Sequence, residues 1–169
     1  KETGKAYFNA NAIFEKDGIK VGVFGLDTAE TLTKASPSNV KLVNFLDKED
    51  MFKAAQAQVD ELKAAGCDYI IALTHLEESV GRRSVDVASA VKGIDLIVDG
   101  HSHTVMDGGE KVNDTLIVST GSYLANVGTV VVDEASKETT AKLISAADYA
   151  ATIGKYDDAV AKLVAEDRA

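Results

Sequence analysis

Short apolar runs alternate along this chain with stretches of helical period. Residues 6–14 and 19–26 predict two strands around Lys16-Asp17-Gly18, and Asp-Gly is a strong hairpin signal. Gly22 and Gly25 inside the second run weaken it as a plain strand and predict close approach of another backbone. Residues 29–46, with Pro37 and Ser/Asn turn chemistry, predict a long irregular loop of the kind that is functional or forms a rim. Phe52, Ala55, Val59 and Leu62 then recur at helical spacing. Asp47 is the expected N-cap of that helix, Glu49 and Asp50 suit its first turn, and Gly66 its end. An apolar strand at 69–74 follows directly. A second helix is predicted over 84–92, with Val85, Ala88 and Val91 on one face and Gly93 ending it, before a strand at 94–98.

Strand, helix, strand, helix, strand is the order of parallel pairing with right-handed crossovers, so the fold class is α/β. Ligands in such sheets bind beyond the carboxyl ends of the strands, here Asp27-Thr28, His75 and Gly100-His101. Residues 105–113 read as a polar turn. Residues 115–119, 128–133 and 139–144 are β-branched and predict an antiparallel meander, and 157–165 a short amphipathic helix.

A chain of 169 residues suits one domain and can bury about 70% of its unfolded surface. No apolar run is long enough to span a bilayer. The net charge of −9 disfavours nucleic acid or an anionic membrane as the main partner, and repels phosphate esters unless bound cations reverse the sign locally. A single cysteine, Cys67, forms no internal disulfide and leaves the compartment open. The chain starts at Lys1 and enters strand-like sequence almost at once, as expected of a segment of a longer protein or of a mature domain after signal removal.

All three histidines, His75, His101 and His103, stand just past the end of a predicted buried strand. A stiff apolar support that releases imidazoles into a loop is what a metal site needs. Two histidines at i, i+2 can bind one ion, or reach two ions about 3.5–4 Å apart. Convergence of all three on one zinc is a further possibility. Imidazole suits Zn, Mn, Fe, Ni and Co alike. A histidine after a strand is also often a plain surface residue. Asp95 and Asp99 read as turn or solvent carboxylates, Asp27 as a rim residue, and Arg82-Arg83 as a helix start or a phosphate contact. Ser119-Thr120-Gly121-Ser122 has no histidine to spare as a base, which disfavours a Ser-His-Asp hydrolase. No GxGxxG or P-loop occurs.

Leu73-Thr74-His75-Leu76, followed by Gly93-Ile94-Asp95-Leu96-Ile97-Val98-Asp99-Gly100-His101-Ser102-His103-Thr104, closely resembles the last two metal-ligand motifs of the calcineurin-like metallophosphoesterases. The nearest branch is the bacterial 5'-nucleotidase, UDP-sugar hydrolase and 2',3'-cyclic-nucleotide phosphodiesterase group, to which residues 22–28 and 36–40 are also similar. The resemblance covers roughly residues 10–133. It implies part of a four-layer α/β/β/α sandwich with mixed sheets, two divalent metal ions at the strand ends, and hydrolysis of nucleotide phosphate esters by a metal-activated hydroxide. By motif position it implies that His75 and His101 ligate one ion and His103 the other. An exported location, whether periplasmic, cell-wall or secreted, follows from the branch alone.

The departures carry as much. The family's opening Asp-x-His motif is absent ahead of the first strand, as are its Gly-Asp motif with the bridging carboxylate and its Gly-Asn-His motif with the catalytic histidine. Glu77 stands where the branch often has Gly. Residues 1–150 are therefore expected to be the C-terminal part of a metallophosphoesterase domain. Residues 151–169 are expected to form a linker helix towards a substrate-binding domain that this chain lacks. The segment alone is expected to be inactive, with its missing N-terminal part as a partner. The alternative is a non-catalytic α/β binding or scaffold module.

Overall fold

The computed structural model describes residues 8–76 and 83–148. Asp17 (φ 54°) and Gly18 (φ 84°) both lie in the left-handed region, as a two-residue primed turn demands. They join β1 (Asn11–Lys16) to β2 (Ile19–Asp27) as an antiparallel hairpin. The first strand thus begins later than residue 6 and runs to the turn itself. The close approach at Gly22 is by side chains and not by backbone: a Cβ there would stand 2.8 Å from Leu62 Cδ2 and 3.0 Å from Cys67 Sγ. Gly25 meets nothing closer than the Leu73 carbonyl at 3.8 Å, so the expected close backbone approach is found at neither glycine.

Residues 29–46 are not a plain loop. They contain two single turns of helix, α1 (Thr31–Lys34) and α2 (Pro37–Val40). Pro37 sits at the start of the second, where its fixed φ is already helical and its missing N–H costs nothing. The long helix α3 (Lys48–Ala64) buries Met51, Ala55, Val59 and Leu62 along one face, with Phe52 only partly buried beside them. It ends in a Schellman motif: Gly66 (φ 80°) donates to the Lys63 carbonyl and Cys67 to the Leu62 carbonyl.

Parallel pairing then follows the expected order. β2 pairs with β3 (Tyr69–His75), and β3 with β4 (Leu96–Val98) across helix α4 (Ser84–Ala90). The expected three-strand meander does not form. β6 (Thr115–Val118) instead joins the main sheet parallel to β4, and β5 (Glu110–Val112), inside the expected polar turn, closes the edge against it. All four residues of β6 are buried, because layers cover both of its faces; such a strand reads as a continuous apolar run and gives no alternation to recognise. β7 (Asn126–Val132) and β8 (Thr139–Ser145) form a separate hairpin. Among the described residues the main sheet has the order β1-β2-β3-β4-β6-β5, with antiparallel strands at both edges.

Side chains alternate between its two faces. Phe24, Ile70, Ala72, Ile97 and Ile117 pack with α3 and α4. Tyr69, Leu96, Leu116 and Val118 face the β7–β8 hairpin, with Val130 and Ala141 opposite them. The hairpin covers only part of that face and leaves Phe14, Leu73 and Val98 exposed. The result is a mixed α/β sandwich with a mixed sheet, as the sequence predicted, and three layers lie within the described residues. The helix expected at 157–165, and the division placed at residue 150, lie outside them. No described helix is long and apolar enough to cross a membrane.

Candidate metal centre

Parallel register brings the three strand ends to one edge. Asp27 is the ladder partner of His75, and the Thr28 amide continues the ladder by donating to the His75 carbonyl at 3.0 Å. Asp99 fixes the end of β4 from three sides. It accepts hydrogen bonds from the Thr74 hydroxyl (2.6 Å), the Leu76 amide (3.2 Å) and the Ser84 hydroxyl. The carboxylate read from sequence as a turn or solvent residue therefore ties β3, β4 and the start of α4 together. Asp95 likewise clasps β3, its carboxylate accepting from the Ile70 amide at 2.7 Å, and burial pushes its carboxyl above the usual range.

From that anchored point the chain turns sharply. The Ser102 amide donates back to the Gly100 carbonyl at 2.8 Å around His101, whose φ is 65°. This is a γ-turn of the rare, strained hand. His103 also has positive φ, at 57°. Backbone held in such regions persists only where its surroundings fix it, and it clusters at functional sites.

The turn delivers His101 to His75: His101 Nδ1 lies 2.9 Å from His75 Nε2, with the ring centroids 4.6 Å apart. The far nitrogen, His101 Nε2, is 2.7 Å from Glu30 Oε2. Glu30 stands at the head of α1, where its amide donates to the Thr28 hydroxyl. The bond from His101 holds the Glu30 carboxyl below its usual value, with Lys34 (3.6 Å) adding to the effect. Sequence reading missed Glu30. Its one signal is a place three residues beyond the strand-end Asp27, and that matters only once the parallel register is known.

His103 is not drawn into this pair. Its ring meets the edge of Tyr123, with centroids 6.1 Å apart. Among the described residues no three histidine, cysteine or carboxylate side chains gather as a ready cluster for one ion, so the three-histidine zinc arrangement is not formed. Asp27 is engaged locally, accepting from the Thr28 amide and the Thr31 hydroxyl. Arg83 is engaged by Asp86 through Nε and Nη2, both at 2.9 Å, which is the helix-start role and not a free phosphate contact. Arg82 and Glu77 lie outside the described residues. Ser119 is buried, and no histidine reaches its hydroxyl among the described residues.

The donor chemistry suits a divalent ion. Two imidazole nitrogens face each other at the end of rigid strands, and a carboxylate backs one ring. Two nitrogens alone would fill only part of such an ion's coordination shell.

No family model matches the chain. It is 36% identical over 133 residues to a trifunctional nucleotide phosphoesterase of Bacillus subtilis, a match that covers 76% of this chain and 8% of that protein. It is 32% identical over 120 residues to a 5'-nucleotidase of Diplobatis ommata, covering 71% of this chain and 19% of the relative. The chain thus spans less than a fifth of either protein. Among solved structures, a sulfate thiohydrolase SoxB of Thermus thermophilus superposes with a TM-score of 0.73 at 21% identity, over 85% of this chain and 26% of that one, which shows a common fold. Together with the His75 and His101–His103 motifs at the strand ends, these similarities place the chain, over the part it spans, in the calcineurin-like metallophosphoesterase family, beside the 5'-nucleotidases.

Proposed function

We propose that this chain is the C-terminal, metal-bearing part of the catalytic domain of an exported phosphoesterase that hydrolyses nucleotide phosphate esters. The observation that carries this reading is the 2.9 Å approach of His75 Nε2 and His101 Nδ1 at the strand ends of a 5'-nucleotidase relative. His75 and His101 would hold one ion and His103 a second, its ring free to turn from the exposed Tyr123. Bound divalent cations would supply the positive charge and activated water that phosphate-ester hydrolysis needs, which a chain of net charge −9 does not itself offer. The chain's own residues do the holding. β3 and β4 fix the ring positions, Asp99 locks the two strand ends together, and the γ-turn aims His101.

The 169 residues carry no Gly-Asp or Gly-Asn-His motif, hence no bridging carboxylate and no further catalytic histidine. The segment alone is therefore inactive in this reading.

The test is metal analysis and turnover on the purified chain after incubation with Mn²⁺ or Zn²⁺. Metal is expected to be retained, and lost in the His75→Ala, His101→Ala double variant, with no hydrolysis of a nucleoside monophosphate by either protein. Metal content indifferent to the double substitution would favour a non-catalytic scaffold instead. Turnover by the chain alone would refute its inactivity.

A further inference from the structure

A histidine binds a metal through one ring nitrogen, and its usefulness depends on which nitrogen carries the proton. His101 has a distinct neighbour at each nitrogen. Nε2 is 2.7 Å from Glu30 Oε2, and Nδ1 is 2.9 Å from His75 Nε2. A carboxylate oxygen accepts and cannot donate, so a neutral His101 makes its bond to Glu30 only as the Nε2–H tautomer. That tautomer leaves a lone pair on Nδ1, the atom aimed at His75.

Glu30 is itself held. Its amide donates to the buried Thr28 hydroxyl at 3.1 Å, Thr28 is bonded to the end of β3, and Lys34 lies 3.6 Å from the other carboxylate oxygen. The carboxylate is thus placed by the β2 end and α1, not by the histidine loop. We propose that Glu30 is a positioning residue for a metal-binding His101: it fixes the Nε2–H tautomer and the ring plane, so that Nδ1 is the donor atom. The inference rests on the metal reading above and adds a residue outside the histidine motifs. It has a corollary for His75. In the metal-free chain His101 Nδ1 accepts, so His75 Nε2 carries the proton between the rings. To present a lone pair from Nε2, His75 passes that proton to its own Nδ1 through solvent, which its exposed position allows. His101 keeps its tautomer throughout and His75 changes.

The experiment uses the whole 169-residue chain, whose three histidines allow each ring to be assigned. Proton–nitrogen correlation spectra of the rings would be recorded without metal and with Zn²⁺, alongside zinc affinity measured against a competing chelator, for the wild type, Glu30→Ala and Glu30→Gln. Glu30 is partly exposed, so neither substitution opens the core. The wild type is expected to show His101 as Nε2–H in both states and His75 switching from Nε2–H to Nδ1–H. In Glu30→Ala, His101 should become a tautomer mixture and zinc affinity should fall about 10–100-fold, the range for loss of a partner behind a ligand. Glu30→Gln, whose amide oxygen still accepts, should restore the tautomer and most of the affinity. A wild-type His101 protonated at Nδ1, or zinc affinity unchanged in Glu30→Ala, overturns the inference and leaves the phosphoesterase reading standing. The expected tautomers with no zinc uptake by the wild type would confirm the hold of Glu30 on the ring and sink the metal reading.

Discussion

Asp99 shows how much one side chain decides here. Its carboxylate receives the Thr74 and Ser84 hydroxyls and the Leu76 amide, and its own amide donates to the Val118 carbonyl. Asp99→Ala would strand those three donors, all of which belong to buried residues. A loss of about 3 kcal/mol is expected, from three bonds at a net contribution of about 1 kcal/mol each. Urea unfolding would read it, and a midpoint within error of wild type would show that the network contributes nothing net. Asp95 makes the opposite case. Burial first, against its bond from Ile70 and the nearby Lys63 and Lys137, raises its carboxyl. The folded state therefore favours the neutral acid, and Asp95 increasingly opposes folding as pH rises from the ordinary carboxylate value of about 4 through the raised one. Asp95→Asn keeps an acceptor for the Ile70 amide and removes the buried charge. It should match wild type in stability near pH 3 and exceed it at pH 7. Parallel stability curves for the two proteins across that range would contradict this.

At the scale of elements, the contact between layers depends on few polar bonds. Tyr69 on β3 and Thr139 on β8 share one at 2.8 Å, the Tyr69 hydroxyl otherwise facing a buried setting that raises its pKa. Tyr69→Phe keeps the apolar contact and removes that bond, for an expected loss of about 1 kcal/mol. Amide exchange in β8 should quicken while that in α3 stays unchanged; uniform quickening would mean that hairpin and sheet open together. Elements also show where reading from sequence succeeds. The Asp17-Gly18 hairpin, α3 and the parallel run β2-β3-β4 were all legible, because turn chemistry and period are properties of neighbours in the chain. The placement of β6 was not, because a strand buried on both faces carries no alternation. α1 and α2 escaped for a different reason: each is a single turn, too short to show a period.

Across the whole molecule, charge and topology work together. A net charge of −9 is a poor match for phosphate esters, and the edge where the strands end is the place where bound cations would reverse it. The same edge gathers His75, His101 and the Asp27–Glu30 turn, because parallel strands all deliver their carboxyl ends to one side. The sequence by itself determined the order β2, α3, β3, α4, β4, the turn at Asp17-Gly18 and the placing of every histidine at or just past a strand end, since each follows from local pattern and from residue types. Tertiary structure alone decided that His101 would meet His75 and Glu30, that His103 would lie against Tyr123, and that Asp99 would bind strands and not solvent. Those partners are 26, 71, 20 and up to 25 residues apart in the chain, and only the ladder register and the strained turn at His101 bring them to hydrogen-bonding or ring-contact distance.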